Sequence, residues 1–114
     1  MAKPLEKLRA ICLALPEAIE KETWGNATFR VRDKIFAMTS DDGARDGLLC
    51  KAPAGSQMVL VGADPGRFFV PRYVGSKGWV GMRLDRKPDW AEVALLVRRS
   101  YAMTAPKKLT AQIA

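Results

Sequence analysis

The sequence predicts a single α+β domain of two layers, with a mostly antiparallel sheet of about five strands and helices on one face. The length of 114 residues suits one domain over residues 1–114. Apolar spacing changes from three or four residues to two and back again along the chain. Short loops separate successive strand-like segments, which favours antiparallel pairing. The expected order of elements is α-β-β-β-α-β-β-α.

The first predicted helix begins near Pro4 and ends before Pro16. Proline is favoured in the first turn of a helix and cannot continue one from its interior. Apolar residues between the two prolines recur at three- and four-residue steps, which places them on one helix face: Leu5, Leu8, Ile11, Cys12 and Leu15.

A β-hairpin is predicted over Phe29 to Thr39, where the period changes to two. Phe29 and Val31 alternate with two arginines. Asp33 and Lys34 suit a turn, and an apolar run follows them. The two halves of this segment are therefore expected to pair.

Three further strands and a short helix complete the expected sheet region. The strands are predicted at Leu48 to Lys51, Phe68 to Val70 and Trp79 to Leu84. The short helix is predicted over Gln57 to Val61, with Ser56 as its N-cap. These segments give a sheet built from neighbours along the chain.

The last predicted helix starts at Asp89 and ends before Pro106. Asp89 followed by Glu92 is typical of a capping box, and apolar residues keep helical spacing beyond it. Residues 107–114 are expected to form a short basic tail that frays.

No segment of the sequence is expected to contact a membrane. The longest apolar run, Met58 to Ala63, is far short of the roughly 20 residues that span a bilayer. Charged residues interrupt the first ten positions, which argues against a signal peptide. Cys12 and Cys50 lie among apolar neighbours and are predicted to be buried thiols rather than a disulfide. Cytoplasmic residence is therefore expected.

Positive charge is concentrated in the second half of the chain. The formal net charge is +7, from 19 Lys and Arg against 12 Asp and Glu. Between residues 67 and 87 the single acid Asp85 faces six basic residues. Such a bias favours polyanionic partners, while an ordinary solvated surface is the alternative interpretation.

Residues that commonly carry catalysis or bind metals are scarce. The chain has no histidine, which excludes Ser–His and Cys–His catalysis, and its two cysteines do not have zinc-site spacing. Asp41, Asp42 and Asp46 offer oxygen ligands, but their spacing is not that of a calcium loop, so a solvated turn is favoured. We therefore expect a binding protein with no metal, no cofactor and no catalytic residues.

A glycine-rich turn lies within the basic segment, in the loop predicted over Pro71 to Gly78. Gly75, Gly78 and Gly81 surround Lys77 and Trp79. Glycines there would let backbone amides approach a phosphate, with Lys77 supplying charge and Trp79 a stacking face. Gly75 to Gly78 also has the GxxG form of a KH loop, although its flanks look extended. The alternative is a tight turn beside a core tryptophan.

Short motifs recur along nearly the whole chain, from about Leu5 to Leu109: Leu15-Pro16, Trp24-Gly25, Phe29-x-Val31, Lys34-Ile35-Phe36-Ala37, Leu49-x-Lys51, Gly78-Trp79-Val80, Arg99-Ser100-Tyr101 and Pro106-Lys107-Lys108. Taken together in this order, they resemble the MmcQ/YjbR family of small bacterial proteins. The resemblance implies an α+β fold similar to secretion-chaperone-like domains, with a double-wing arrangement often described as DNA-binding. It carries over no catalytic residues. The chain departs from the family where Ala52 to Gly55 replace acidic residues that often follow the lysine.

Weak, largely sequence-non-specific DNA binding is the leading functional hypothesis. Phosphate contacts position a protein on nucleic acid without reading its sequence. The expected nucleic-acid-binding residues combine basic side chains with one aromatic: Arg67, Arg72, Lys77, Trp79, Arg83, Arg86, Lys107 and Lys108.

Two other functions remain open. One is a protein-interaction or chaperone-like adaptor, or a homodimer, that uses a free sheet face or a methionine-rich surface formed by residues such as Met38, Met58 and Met82. The other is an enzyme that acts on a small anionic metabolite through Lys34 or Lys51, which would require a lowered lysine pKa.

Overall fold

The protein forms a six-stranded antiparallel sheet with helices packed against one of its faces. The structure is a computed structural model, and it describes residues 3–23, 25–40, 47–85 and 87–113. Neighbouring strands are all antiparallel, in the order β1-β2-β3-β4-β6-β5. The elements are α1 (Pro4–Leu13), β1 (Ile19–Thr23), β2 (Asn26–Val31), β3 (Lys34–Ser40), β4 (Gly47–Cys50), α2 (Ser56–Ala63), β5 (Phe68–Phe69), β6 (Val80–Arg83), α3 (Trp90–Thr104) and α4 (Lys107–Thr110).

The predicted α+β class is confirmed, but the sheet has six strands rather than five. The additional strand is β1, the edge strand that pairs with β2. Its residues are nearly all exposed, so they show no apolar alternation that would predict a strand. The Arg9 guanidinium binds the Glu20 carboxylate of β1 with N–O distances of 2.5 and 2.9 Å, which ties this edge to α1.

One apolar core lies between the sheet and the helices. It is formed by the inward faces of the central strands and by α1, α3 and α4. Strand alternation explains its composition, because Leu48 and Cys50 of β4 point into it while Leu49 points to the opposite face. Cys12 and Cys50 are both buried free thiols, as predicted. Burial raises the pKa of Cys50 to about 12, which disfavours the reactive thiolate form.

The β2–β3 hairpin is confirmed, with its turn one residue earlier than predicted. Val31 pairs with Lys34, and both intervening residues, Arg32 and Asp33, have positive φ values of 51° and 66°. Two consecutive left-handed residues define a type I′ turn, whose twist matches that of the strands. The Arg32 guanidinium holds this turn through two hydrogen bonds to Glu17, at 2.6 and 3.1 Å.

A β-bulge in β3 changes which side chains face the core. Phe29 pairs with Ala37 but Arg30 pairs with Ile35, which leaves Phe36 as the extra residue. Phe36 and Ala37 are therefore both fully buried, and the Phe36 ring meets Tyr101 of α3 edge-on at 5.3 Å between centroids. Ile35 is left on the opposite face of the sheet.

Ser100 of α3 joins the helix layer to the two central strands. Its fully buried hydroxyl donates to the Phe36 carbonyl at 2.6 Å and accepts from the Lys51 backbone amide at 2.9 Å. Both backbone groups lie where regular pairing is interrupted, at the bulge of β3 and just beyond β4. A single side chain thus satisfies two buried backbone groups that would otherwise be unpaired.

The C-terminal part of the chain is more ordered than the sequence predicts. Asp89 caps α3 as expected, accepting from the Ala91 amide at 3.0 Å, whereas the Glu92 carboxylate binds Arg67 at 2.6 Å. The expected frayed tail instead contains α4, which buries Leu109 in the core. Leu109 is the only fully apolar large residue among Lys107 to Thr110, so its burial gives little periodic signal.

No helix in the described ranges is long and apolar enough to cross a membrane. Several residues of the sequence hypotheses lie outside those ranges: Trp24, Asp41, Asp42, Asp46 and Arg86.

Replacing Ser100 with alanine is expected to lower the free energy of unfolding by about 1–3 kcal/mol, because a buried carbonyl and a buried amide lose their shared partner. Urea denaturation monitored by circular dichroism measures this change. Ser76→Ala is the matched control, since its exposed hydroxyl makes only a 3.5 Å contact with the Tyr73 carbonyl. Equal unfolding free energies for the two variants would contradict the role assigned to Ser100.

Candidate functional site

The sheet face opposite the helices forms a broad cleft of about 1070 Å³. Its apolar lining comes from Ile35 and Met38 of β3, Leu49 of β4, Phe69 of β5 and the nearby Trp79. Leu49 and Trp79 are buried but lie outside the main core, because strand alternation and the β5–β6 loop direct them to this face. The cleft therefore has an apolar floor of its own, which is unusual for the open side of a sheet.

Five cationic side chains line this cleft: Arg30, Lys34, Lys51, Arg72 and Lys77. The antiparallel topology brings them to one end of the sheet. The β2–β3 turn, the end of β4 and the β5–β6 loop all lie at this end, since each strand reverses the direction of its neighbour. The described lining residues at the opposite end are polar and uncharged: Asn26, Thr39 and Ser40.

Cations outnumber acids among the described residues that line the cleft. Asp33 is the single carboxylate among its described lining residues, and its side chain is 85% exposed at a distance of 3.5 Å from Arg30. Arg30 is held in place by the Thr28 and Thr23 hydroxyls, at 3.2 and 3.0 Å. In the part of the chain that the structure describes, no carboxylate pairs with Lys34, Lys51 or Lys77. This end of the cleft is thus strongly positive.

The surroundings of Lys51 lower its pKa. Partial burial lowers its pKa, and the nearby positive charge of Lys34 lowers that pKa further. Both effects disfavour the charged form of the side chain. An anion bound beside these two lysines would counteract the second effect.

The β5–β6 loop forms one wall of the cleft and is packed as a tight turn. Gln57 of α2 donates from Nε2 to the carbonyls of Gly75 and Trp79, at 2.8 and 2.6 Å. Gly75 has no room for a side chain, because a Cβ atom there would lie 2.6 Å from Val70, and Gly78 has a φ of 86°. Both glycines are thus required by the turn itself.

Backbone amides of this loop are already used within it, contrary to the phosphate cradle proposed from the sequence. The amides of Gly75, Lys77 and Gly78 donate to carbonyls of Pro71, Val74 and Gly75 at 3.0 Å each. The flanking elements are strands β5 and β6, which also excludes the KH arrangement, where the loop joins helices. The loop contributes side chains to the cleft rather than backbone donors.

Tyr73 is the exposed aromatic residue of the cleft. Its side chain is 92% exposed at the rim, and its φ of 64° is the left-handed conformation that few large residues adopt. Trp79, the aromatic that the sequence suggested for stacking, is only 8% exposed and forms part of the floor. The ring available for stacking is therefore that of Tyr73.

The residues predicted to bind nucleic acid divide into separate groups. Arg72, Lys77 and Trp79 line the cleft. Arg67 binds Asp64 and Glu92, both at 2.6 Å, and Arg83 binds Asp85 at 2.8 and 3.0 Å, so these two guanidinium groups are neutralised locally.

The remaining predicted residues do not line the cleft in the described structure. Lys107 and Lys108 lie on α4, in the helix layer on the other side of the sheet. The charge of Lys108 contributes to lowering the pKa of Glu17. Arg86 falls outside the described residues.

Three cleft cations come from the first half of the chain, which the charge count did not single out for nucleic-acid binding. Arg30 alternates with the core residues Phe29 and Val31, and Lys51 follows the core residue Cys50. Alternation therefore placed both on the sheet face away from the core. The position of Lys34 in the cleft could be inferred only after the structure had placed the hairpin turn at Arg32 and Asp33.

Within the described ranges, no cluster of three or more His, Cys, Asp or Glu side chains is arranged to hold a metal ion.

The fold and the cleft together define a small α+β domain with a cationic, apolar-floored site on the open face of an antiparallel sheet. The model of the YjbR family matches residues 13–103, and the chain belongs to that family. This confirms the resemblance seen in the sequence motifs. No curated protein matches the chain.

A solved structure supports the fold independently. The crystal structure of the Deinococcus radiodurans protein DR2400, which has a DUF419 domain, is similar to this chain with a TM-score of 0.79 at 21% identity. The match covers 99% of this chain and 91% of DR2400. At that identity the likeness establishes a shared fold.

Gly81 is expected to be essential for the shape of the cleft floor. Gly81→Ala should lower the free energy of unfolding by about 1–3 kcal/mol, because the added methyl would overlap the Phe69 ring. Gly62→Ala is the matched control: nothing lies within 4 Å of its Cβ position, and alanine favours a helix over glycine by about 0.5–1 kcal/mol. Urea denaturation of both variants measures the difference, and an unchanged Gly81→Ala protein would show that the ring does not lie over this glycine.

Proposed function

We propose that the chain is a non-enzymatic nucleic-acid-binding domain that holds single-stranded DNA weakly, and with little sequence preference, in the cleft on its open sheet face. The observation that carries this proposal is the convergence of five cations at one end of an apolar-floored cleft that has one carboxylate in its described lining. An electrostatic attraction of this kind supports non-specific affinities in the range of about 10⁻⁴ to 10⁻⁶ M.

A single strand fits this combination of groups better than a duplex. Proteins that bind single strands combine a positive groove for the backbone with apolar and aromatic groups for the bases. Met38, Leu49 and Phe69 supply such a floor, and Tyr73 presents a free ring at its rim. The bases of a duplex are stacked inside it and would leave the apolar floor unused.

Weak sequence preference follows from the kinds of contact available. Lysine and arginine side chains at the positive end would meet phosphates, which are the same in every sequence. Stacking on Tyr73 is also tolerant of base identity, because every base has a π-face. Neither interaction discriminates strongly between bases.

Protein docking on α2 is the second candidate function. Met58 and Val59 of this helix are 79% and 69% exposed, and the structure describes no buried residue in α2. Exposed apolar side chains on a short helix are typical of interaction surfaces. Of the methionines considered from the sequence, Met82 lies in the core and Met38 in the cleft, so only Met58 of those three would serve such a surface.

Removing one cleft lysine should weaken DNA binding and its salt dependence together. For Lys77→Gln we expect a several-fold loss of affinity for a fluorescent thymidine oligonucleotide. The slope of log K against log salt should become shallower by about 0.7, the value for one phosphate contact on a single strand. Fluorescence anisotropy over a series of salt concentrations measures both quantities.

Lys107→Gln is the matched control, because it removes the same charge from the helix layer. It should leave the affinity and the slope nearly unchanged. Equal losses in the two variants would show that net charge rather than the cleft governs binding. Tighter binding to duplex DNA than to the single strand would overturn the proposed mode of binding.

A further inference from the structure

Lys34 and Lys51 form a distinct pair within the cation cluster. Lys34 is the first residue of β3, and Lys51 directly follows the last residue of the neighbouring strand β4. Both line the cleft at its positive end, and the charge of Lys34 contributes to lowering the pKa of Lys51. Neighbouring like charges repel each other, and an anion bound between them would relieve that repulsion.

The backbone at both lysines is held firmly, so the pair is a built feature of the fold. The Lys51 amide is fixed by the buried Ser100 hydroxyl at 2.9 Å. Lys34 ends the type I′ turn, which Arg32 ties to Glu17. Two flexible side chains therefore start from defined positions at the mouth of the cleft.

The combined charge of the two lysines matches the charge of a terminal phosphate group better than that of an internal one. A phosphodiester inside a strand carries one negative charge, whereas a terminal phosphomonoester carries about 1.5 to 2 at neutral pH. Only the second kind of group balances both lysines at once. Asp33, the one carboxylate among the described lining residues, pairs with Arg30 at 3.5 Å.

We propose that Lys34 and Lys51 form a subsite for a phosphomonoester, placed so that the cleft binds the phosphorylated end of a nucleic-acid strand in preference to its interior. This inference rests on the proposed function, because it assumes that the rest of the strand lies along the apolar floor. The strand would therefore bind in one orientation, with its phosphorylated end at the lysine pair and the following bases toward Met38 and Leu49.

The test compares two thymidine oligonucleotides of about ten residues, one with a 5′-phosphate and one with a 5′-hydroxyl, both labelled at the 3′ end. At low salt and about pH 7.5 the phosphorylated strand should bind about fivefold more tightly, since its terminal phosphate brings about 1.5 to 2 charges to the pair, whereas a hydroxyl-ended strand offers the pair only the single charge of a phosphodiester. At about pH 5, where the terminal phosphate is a monoanion like a phosphodiester, the preference should become clearly smaller. Fluorescence anisotropy measures both affinities.

Variants identify the subsite. Lys51→Gln and Lys34→Gln should reduce the preference to about one, because a single lysine matches a single charge. Lys77→Gln removes the same charge elsewhere in the cleft, so it should weaken both strands while the preference persists. Thermal unfolding of each variant checks that the fold is retained.

The outcomes separate this inference from the proposed function. Equal binding of the two strands by the unmodified protein would overturn the phosphomonoester subsite and leave DNA binding in place. Failure of both strands to bind, together with binding of thymidine 5′-monophosphate, would retain the subsite and assign it to a small phosphorylated metabolite. Failure of all three ligands would overturn both proposals.

Discussion

The hydroxyl of Ser100 is the contact on which the geometry of the two layers depends. It meets the Phe36 carbonyl and the Lys51 amide at the same time, and both groups are at places where the β-ladder is interrupted. An unpaired buried backbone group costs free energy comparable to a lost hydrogen bond. The helix layer therefore makes it possible for β3 to bulge and for β4 to end at Cys50, and these two features shape the cleft on the other side of the sheet.

The bulge at Phe36 connects the core to the cleft more directly. In a regular strand, Ile35 and Ala37 would share one face and Phe36 the other. Because the bulge turns both Phe36 and Ala37 toward α3, Ile35 joins Met38 on the open face. One extra residue thus supplies a large aromatic group to the core and an apolar group to the cleft floor, and it keeps Lys34 at the cleft's positive end.

The sequence predicted the elements that have strong local signals. Helices α1 and α3 carry regular apolar stripes and recognisable ends at Pro4 and Asp89. Strand β1 was not predictable in this way, because its exposed residues are held by pairing to β2 and by an ion pair from Arg9. Helix α4 depends on one buried leucine, which a pattern search does not distinguish from an apolar residue in a loose tail.

The site was less predictable than the fold, because side-chain direction and ion pairing are properties of the folded chain. A count of charges along residues 67–87 gives Arg67 the same weight as Lys77. In the structure Arg67 is neutralised by Asp64 and by Glu92, the latter 25 positions away in sequence. Arg30 and Lys51, by contrast, are signalled by alternation on strands whose other face is core. Periodicity therefore locates two cleft cations that charge density does not single out.

The electric field of a cation extends less far when a carboxylate is paired with it. A guanidinium beside a carboxylate is a local dipole, whose field falls off faster than that of a single charge. At physiological ionic strength a lone charge is screened over roughly 8 Å. At low salt, the net charge of +7 attracts anions over long distances. At physiological salt, screening leaves only the cations near a ligand to attract it. Under those conditions the proposed anion site depends on the distribution of charge within the cleft, and above all on Lys34 and Lys51.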